Sequence, residues 1–283
     1  MERTAVAFAP GHISGYFRRI DGDTPRTTGS CGAGLVIDHG VTATVRSAEQ
    51  TSVVITDHLP TGDPLNRYGS GLIEELLDSF CVSAAVETVA DLPIGAGFGM
   101  SAAAILATLT AANAVFDLGL AECDIAERAH ALGVSRNTGL GDVAAAAGGG
   151  LAVRTAPGIA GVAARMFPDA DLCTVTFGSI FTPDIISSPE QMRRVSAAFP
   201  NRLPENFAEF MENSRQFAEA SGLIPQEIRP VLAACDDAGI PASMTMLGCG
   251  VFAAGDDAPE ILAGFGRAVP LKIYPHGPQL LEM

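Results

Sequence analysis

The segment from Leu92 to Ala104 has glycines in a pattern typical of an anion-binding loop. Gly95, Gly97 and Gly99 alternate there, and Ser101 follows at the start of a long run of small apolar residues. Glycine adopts positive φ angles and lets a bulky ligand approach the backbone closely. A helix that begins after such a loop presents unpaired N–H groups, which suit a phosphate. The segment therefore predicts a phosphate site in which Ser101 caps the helix or binds a magnesium ion.

Two familiar nucleotide-binding motifs do not fit this segment. A P-loop requires Gly-Lys-Ser/Thr, and the segment contains no lysine. The glycine spacing also differs from the GxGxxG of dinucleotide-binding folds, and no early strand–helix–strand unit surrounds it. A tight strand–helix turn that packs closely on a neighbour is the structural alternative for the same glycines.

Two further segments contain groups that could complete such a site. Asp142 follows the glycine-flanked turn Thr138-Gly139-Leu140-Gly141, where a carboxylate is a candidate general base for a hydroxyl nucleophile. A helix N-cap is the alternative role for Asp142. The third segment, residues 242–252, predicts a strand that breaks at Gly248 and Gly250 and then resumes. It is either a ligand loop or a hairpin turn.

Apolar patterning predicts the elements that position these segments. In the first half we expect strands at 4–9 (ending at Pro10-Gly11), 34–37, 41–46, 52–56, 82–89 and 151–154, and helices at 71–79, 101–116, 121–132 and 143–147. Residues 57–70 are rich in Pro, Gly, Asp and Asn and predict a loop. In the second half we expect strands at 172–177, 242–247, 250–254 and 270–274, and helices at 189–199, 205–221, 226–238 and 258–267. This interleaving predicts an α+β fold with a domain boundary near 156–170.

Composition narrows the classes of partner. The formal charge is −15, from 32 acidic and 17 basic residues, so no dense cationic patch is available for nucleic acid or an anionic membrane. The six cysteines are scattered without metal-ligand spacing, which predicts free thiols in a reducing compartment. The N-terminal apolar run is too short for a signal peptide, and no stretch reaches the roughly 20 residues of a membrane helix. We expect a cytoplasmic protein that acts on a small molecule, and a homodimer from the base rate for soluble enzymes.

In their order and separation, these segments resemble the motifs of the GHMP kinase superfamily, which includes galactokinase and the homoserine, mevalonate and phosphomevalonate kinases. Pro93 to Ala103 is similar to the central loop, Phe8-Ala9-Pro10-Gly11-His12 to the first motif, and Thr245 to Gly250 to the third. The resemblance implies a ribosomal-protein-S5-like domain over 1–155 and a ferredoxin-like α/β sandwich over 156–283. It also implies ATP and Mg²⁺ as cofactors, with the phosphates bound by Pro93, Gly95, Ala96, Gly97, Phe98, Gly99, Met100, Ser101 and Ala102.

Within the superfamily, the details are most similar to the archaeal pantoate kinases. The segments that suggest this family are Ala9 to Gly15, Gly29 to Gly34, Gly97 to Ser101, Thr138 to Asp142 and Ser243 to Gly248. Met100 stands where most superfamily members have a second serine. The implied reaction is the phosphorylation of (R)-pantoate by ATP to 4-phosphopantoate in archaeal coenzyme A biosynthesis. The alternatives are a GHMP kinase for another small hydroxy acid or alcohol, homoserine- or mevalonate-like, and a non-catalytic ligand-binding member.

The resemblance also implies roles for individual residues. Ser101 would help to bind Mg·ATP, and Asp142 would act on the hydroxyl of pantoate. Recognition of pantoate would involve Ser30, His130, Arg154 and Thr182. The planar guanidinium of Arg154 suits a carboxylate, although an ordinary ion pair is the alternative for this residue. For His130, the alternative is a helix-surface position.

One position departs from the pattern of the family. The pantoate kinases usually have Ala-His-x-Ala-Glu-Val before the Asp turn, and the Glu is a magnesium ligand. The corresponding residues here run from Ala129 to Val134, with Gly133 in the place of that Glu. The loss of a carboxylate removes an oxygen ligand from the metal site. Glu127 lies six residues earlier, more than one and a half helical turns away on a different face, and is not assigned as a replacement.

Overall fold

The computed structural model describes residues 3–180, 185 and 187–283, which form two β-sheets with helices packed on them. The strands are β1 (Thr4–Ile20), β2 (Gly29–Ser47), β3 (Ser52–His58), β4 (Pro64–Tyr68), β5 (Ala84–Ala90), β6 (Leu151–Arg154), β7 (Val162–Met166), β8 (Asp171–Ser179), β9 (Ala242–Met244), β10 (Gly248–Ala254), β11 (Val269–Lys272) and β12 (Gln279–Glu282). The α-helices are α1 (Gly71–Asp78), α2 (Met100–Phe116), α3 (Glu122–Ser135), α4 (Asp142–Ala146), α5 (Pro189–Ala198), α6 (Phe207–Ser221), α7 (Arg229–Asp237) and α8 (Ala258–Ala263). Short 3₁₀ turns lie at Ile159–Gly161 and Gln226–Ile228. Among the described residues, no helix is both long and apolar enough to span a bilayer.

The larger sheet has the strand order β12-β1-β2-β5-β3-β4, and β6 pairs with both β2 and β7. The smaller sheet has the order β11-β8-β10-β9. This mixture of helices and sheets confirms the predicted α+β class. The division into domains 1–155 and 156–283 stays a prediction. Strands from beyond residue 155 complete the larger sheet, because β7 pairs with β6 and β12 pairs with β1.

Several local predictions were wrong at the level of individual elements. The strands predicted at 34–37 and 41–46 are one strand, β2, and three further differences follow. The strand predicted to end at Pro10-Gly11 continues to Ile20, because a register shift between Pro10 and Gly11 accommodates the proline within the β1–β2 pair. The predicted loop 57–70 contains β4, an edge strand whose residues are all exposed. Its sequence therefore lacks the apolar alternation that reveals a half-buried strand. The strand predicted over 242–247 ends at Met244, before the turn that leads into β10.

Helix α2 lies at the centre of the larger core, as the run of small apolar residues predicted. Ala103, Ala107 and Ala111 are fully buried, and α2 packs on β1 and β2. Alanine favours helix and lets the helix backbone approach the sheet closely, because its side chain is short. The N-terminus of α2 is thereby held against β1 at the position where the glycine loop ends.

Helix α6 joins the two halves of the molecule through β1. A Cβ atom at Gly15 would lie 2.1 Å from Ser214 Oγ and 2.5 Å from Phe210 Cε2, so only glycine lets α6 approach the strand this closely. The ring of Tyr16 stacks edge-on against Phe199 at 5.7 Å between centroids and contacts Phe210 and Phe217. The aromatic cluster fixes β1, which contributes residues to the candidate site.

The glycine loop is tied to the smaller sheet by one buried threonine. Thr245 Oγ1 donates a hydrogen bond of 2.8 Å to the carbonyl oxygen of Ala96, across a sequence separation of 149 residues. The start of the loop is fixed separately, because the N–H of Ile94 donates to the buried Asp57 carboxylate at 2.9 Å. The loop is therefore held from both sheets.

Replacing Thr245 with valine tests this connection. Valine has nearly the same shape but no donor, so the Ala96 carbonyl would be left unpaired in the interior. We expect Thr245→Val to lower the free energy of unfolding by about 1–3 kcal/mol, the usual cost of a buried unsatisfied group. Urea unfolding monitored by circular dichroism measures the change. Thr44→Val is the control, since Thr44 is a partly buried strand residue whose hydroxyl has no partner among the described residues. Equal effects of the two substitutions would contradict the prediction.

Candidate active site

The glycine loop adopts a conformation that points its carbonyl groups at the surrounding protein. Gly95, Gly97 and Gly99 have φ angles of 81°, 88° and 66°, which only glycine adopts without strain. The carbonyl oxygens of Gly95, Ala96 and Phe98 accept hydrogen bonds from Ile180 N, Thr245 Oγ1 and His12 N. Three different parts of the chain therefore hold the loop by its acceptors.

The donors of the same segment are free. Within the described part of the chain, no acceptor binds the N–H groups of the run from Gly97 to Ser101. Helix α2 begins at Met100, and its N-cap residue Gly99 has no side chain to bind the first-turn N–H groups. Loop and helix start together present a row of unpaired donors with the positive end of the helix dipole behind them, which is an anion site.

Ser101 lies in the first turn of α2 and lines the cavity in front of the loop. Its hydroxyl has no hydrogen-bond partner among the described residues, so it does not cap the helix and is free to bind a ligand. Met100, in contrast, is buried with its methyl group against Gly11. A Cβ atom at Gly11 would lie 2.5 Å from that methyl carbon.

Asp142 forms a hydrogen bond that the sequence did not indicate. His12 Nδ1 lies 2.8 Å from Asp142 Oδ1, and the histidine side chain is fully buried. A Cβ atom at Gly34 would lie 2.2 Å from His12 Nε2, so the glycine makes room for the ring. The second carboxylate oxygen, Oδ2, lies beside Gly139, where a Cβ atom would be only 2.4 Å away. Asp142 is the first residue of α4 rather than its N-cap.

The pKa values of His12 and Asp142 are both lowered, which makes Asp142 an ionised carboxylate beside a neutral imidazole. Burial lowers the pKa of His12 and outweighs the opposite influence of Asp142. Burial by itself would raise the pKa of Asp142, but the hydrogen bond from His12 and the positive charge of Arg154 hold it below the usual value. His12 therefore donates its Nδ1–H to Oδ1, and Oδ2 remains available as an acceptor.

Arg154 is the largest fully buried side chain of the described residues, and its guanidinium has no partner among them. It is 1% exposed, and none of its three side-chain nitrogens makes a hydrogen bond to the described residues. A Cβ atom at Gly141 would lie 1.4 Å from Nη1 and 2.6 Å from Ser30 Oγ, so both groups lie directly against the Asp142 turn. A buried cation is stable only when it is paired, so the site is built to receive an anion. The ordinary ion pair is excluded within the described residues.

His130 is buried and is not a helix-surface residue. Its Nε2 lies 3.0 Å from the carbonyl oxygen of Thr28, to which it donates, and burial lowers its pKa. Nδ1 is therefore unprotonated and can only accept a hydrogen bond. This contact fixes the start of β2, which carries Ser30.

One cavity is lined by half of the predicted site residues. It is lined by the loop glycines Gly95, Gly97 and Gly99 with Met100 and Ser101, by the turn from Thr138 to Asp142, by Ser14, Phe17 and Ser30 of β1 and β2, and by Met246 and Leu247 of the third segment. Arg154 and His130 lie behind this lining. Pro93, Ala96, Phe98 and Ala102 shape the loop and the helix start without lining the cavity. Thr182 lies outside the described residues.

Gly133 lies near the edge of the same cavity. A Cβ atom there would be 3.6 Å from Thr138 Oγ1 and 3.9 Å from Gly139 O, so a side chain would meet only ordinary contacts on its way to the cavity. Glu127 is in an exposed ion pair with Arg26, 3.4 Å away, as expected for a residue on a different face of α3. Of the side chains that line the cavity, only Asp142 is a carboxylate.

Comparisons with known proteins agree with the motifs. Residues 67–150 match the family described as GHMP kinases N terminal domain. The chain is 43% identical to the pantoate kinase of Methanospirillum hungatei, covering 99% of this chain and 98% of that protein. It is 30% identical to the pantoate kinase of Thermococcus kodakarensis over 87% and 86% of the two chains. A solved structure described as a phosphotransferase related to the CoA biosynthesis pathway is 26% identical, with a TM-score of 0.78 over 99% of both chains. The predicted resemblance is confirmed.

The neutral state of His12 predicts how stability depends on pH. A histidine in the unfolded chain takes up a proton as the pH falls below about 6.5, whereas His12 resists protonation because its folded pKa is lower. The unfolded state then binds more protons, so the folded protein loses stability as the pH falls from about 6.5 towards the folded pKa.

We expect His12→Asn to lose less stability than the wild type between about pH 7.5 and about pH 5, because asparagine keeps an N–H donor near Asp142 but does not titrate. Urea unfolding of both proteins at the two pH values measures the difference. Burial also lowers the pKa of His130. Because His130 is present in both proteins, its contribution to the pH dependence cancels from the comparison. Equal losses would contradict the prediction, because they would show that folding does not lower the pKa of His12.

Proposed function

Because the chain belongs to the pantoate kinase family of the GHMP kinases, we propose that it transfers the γ-phosphate of ATP to the primary hydroxyl of (R)-pantoate. The products are ADP and 4-phosphopantoate, an intermediate of coenzyme A biosynthesis in archaea. One observation carries the choice of substrate: an unpaired buried guanidinium, Arg154, lies beside the ionised carboxylate of Asp142. The pair suits a small molecule that has both a carboxylate and a hydroxyl group.

The nucleotide binds where unpaired donors converge. The N–H groups from Gly97 to Ser101 bind the phosphates, and the helix dipole of α2 adds to their attraction. A second, mostly apolar hollow shares Met100 and Ser101 with the phosphate cavity and extends between α1, α2 and the β3–β4 pair. Its walls include Ile55, Leu72 and Ile94, and we assign the adenine base to this hollow.

The oxygen groups near the phosphates fit a magnesium ion. The hydroxyl of Ser101 is unpartnered and Asp142 lines the same cavity, and Mg²⁺ prefers such hard oxygen donors. Ser101 and Asp142 would hold the ion, which would neutralise the charge of the phosphates. Gly133 would contribute no carboxylate to it. Ser101 is accordingly the protein's metal-binding and Mg·ATP-binding hydroxyl.

Pantoate binds with its carboxylate on Arg154. The planar guanidinium presents several donors to a carboxylate and pairs with it in a bidentate manner. Ser30 Oγ lies at the same place against Gly141 and donates a further hydrogen bond. His130 positions Ser30 indirectly, because it binds the carbonyl oxygen of Thr28 just before β2. Its Nδ1 can accept a hydrogen bond from the hydroxyl at C2 of pantoate. Thr182 remains a proposed contact on the strength of the family resemblance.

Asp142 orients the primary hydroxyl for in-line attack and accepts its proton. The neutral His12 holds Oδ1 by a hydrogen bond, which leaves Oδ2 facing the open side of Gly139. Phosphoryl transfer depends mainly on positioning and on the neutralisation of charge, so a carboxylate of low pKa is suitable. Helix α4 is fixed at its other end by Arg165, which donates to the carbonyl oxygens of Ala144, Ala145 and Gly149.

We also infer a cytoplasmic location, since the six cysteines are free and ATP is a cytoplasmic substrate. A homodimer stays a prediction. A non-catalytic ligand-binding role is the second candidate, and Gly133 is the observation that favours it.

An ADP-release assay with Mg·ATP and a panel of pantoate, homoserine, mevalonate and pantothenate separates these functions. We expect turnover with pantoate alone, and a kcat that falls roughly 10²–10⁴-fold in Asp142→Asn, the usual size of a general-base contribution. Binding of pantoate or ATP without turnover would favour the second candidate.

Asp38→Asn is the matched control for that substitution. Asp38 also lies beside a histidine, with Oδ1 3.0 Å from His39 Nδ1, but this pair lies outside the cavity. Its substitution should leave kcat unchanged. Full activity of Asp142→Asn would remove Asp142 from the reaction.

Arg154 gives an independent test, because substrate binding and stability should respond in opposite directions. Arg154→Met keeps the volume and removes the buried cation. We expect the KM for pantoate to rise at least about 10-fold, since a hydrogen bond to a charged group contributes about 1.5–3 kcal/mol. The variant without substrate should be at least as stable as the wild type, because an unpaired buried charge destabilises the fold. Steady-state kinetics and thermal unfolding with and without pantoate measure both effects. An unchanged KM would place the carboxylate elsewhere.

A further inference from the structure

The cavity has an apolar side that phosphate transfer by itself does not require. Phe17 and Leu140 line the cavity near Ser30 and the Asp142 turn, although both side chains are almost entirely buried at 4% and 6% exposure. Both also belong to the main hydrophobic core. Their positions in the cavity are therefore rigid.

Phe17 and Arg154 lie in one row across three neighbouring strands. Phe17 of β1 pairs with Gly32 of β2, and Gly32 pairs with Arg154 of β6. Directly paired residues direct their side chains to the same face of a sheet, and neighbouring strands lie about 4.8 Å apart. The backbone positions of Phe17 and Arg154 are thus about 10 Å apart across the sheet, with a glycine between them. Gly32 lets β1 and β2 approach closely, because a Cβ atom there would lie 2.1 Å from the carbonyl oxygen of Tyr16.

The Asp142 turn also brings polar and apolar groups to the cavity. Gly141 lies against the guanidinium of Arg154 and the hydroxyl of Ser30. Leu140 precedes Gly141 and Asp142 follows it. In these three consecutive residues, Leu140 provides an apolar side chain, Gly141 lies against the guanidinium, and Asp142 is the proposed base. Phe17 and Leu140 line the cavity together with Ser30 and Asp142, so a ligand that contacts these two polar side chains also has an apolar surface beside it.

We propose that Phe17 and Leu140 form an apolar seat for the carbon between the carboxylate end and the reacting hydroxyl, and that this seat selects hydroxy acids with a quaternary carbon there. The proposal rests on the proposed function, since pantoate has two methyl groups on that carbon. A polar substituent at this place would lose its hydration without gaining a hydrogen bond. A bare methylene would leave the seat incompletely filled.

The test compares (R)-pantoate with (R)-2,4-dihydroxybutanoate, which has the same carboxylate and hydroxyl groups but lacks both methyl groups. A hydrophobic pocket discriminates by about 10–200-fold for each missing methylene, so the wild type should prefer pantoate by about 10²-fold or more in kcat/KM. In Leu140→Ala, we expect this preference to fall roughly 10-fold through a higher KM for pantoate, with kcat/KM for dihydroxybutanoate nearly unchanged. Phe17→Leu should also lower the preference. This second variant keeps the test decisive if Leu140→Ala does not fold.

Leu118→Ala is the matched control, since Leu118 packs on the same core but does not line the cavity. It should leave the preference at the wild-type value. The seat is refuted if the wild type shows no preference, or if Leu140→Ala and Phe17→Leu reduce kcat/KM for both acids equally.

Calorimetric titration of both acids measures the same preference without turnover. Selective binding of pantoate without phosphorylation would overturn the proposed function and support the seat. Phosphorylation of both acids with equal binding would support the proposed function and overturn the seat.

Discussion

The carbonyl groups of the glycine loop are bound by the surrounding protein, and this constraint determines the arrangement of the site. Acceptors at Gly95, Ala96 and Phe98 are paired with donors from three separate parts of the chain. Each peptide unit has its N–H opposite its C=O, so a loop that binds the protein by its acceptors leaves its donors for a ligand. Positive φ angles at three alternating positions make this orientation accessible, which explains why glycine stands at each of them. Since the site obtains its phosphate donors from the backbone, it needs no lysine.

The second feature of the site is that its charges are buried and incompletely paired. Asp142 is ionised beside a neutral histidine, while Arg154 has no partner among the described residues. Such an arrangement destabilises the fold by itself, because an unpaired buried charge loses its hydration. It persists where the surrounding structure fixes it, and here Gly34 and Gly141 leave room for the histidine ring and the guanidinium. We propose that a substrate carboxylate completes the pair that the described residues leave open, so that its binding energy goes to orientation rather than to rearrangement.

Local patterns in the sequence predicted the parts of the site that depend on neighbouring residues. The structure brings the loop glycines, Ser101 and the Asp142 turn to one cavity, while their roles stay predictions. Helix α2 begins within one residue of its predicted start. The pairing of His12 with Asp142 could not be predicted, because the two residues lie 130 positions apart. Neither local sequence pattern indicates that the two segments are in contact. The row of Phe17, Gly32 and Arg154 was missed for the same reason, since it depends on strand register. Edge strand β4 escaped prediction because an exposed strand shows no apolar alternation.

The electrostatics of the site differ from those of the chain as a whole. A protein with a formal charge of −15 would repel ATP and a carboxylate substrate if net charge governed binding. Exposed charges beyond about 8–10 Å are largely screened at physiological ionic strength, whereas donors in a cavity act at short range and low dielectric. A row of backbone N–H groups, a helix N-terminus and one buried guanidinium therefore determine the local potential. Gly133 is consistent with this balance, because a second carboxylate at the cavity edge would lower the positive potential that attracts both anions. The absence of that carboxylate at Gly133 therefore leaves the local potential more favourable to an anionic ligand.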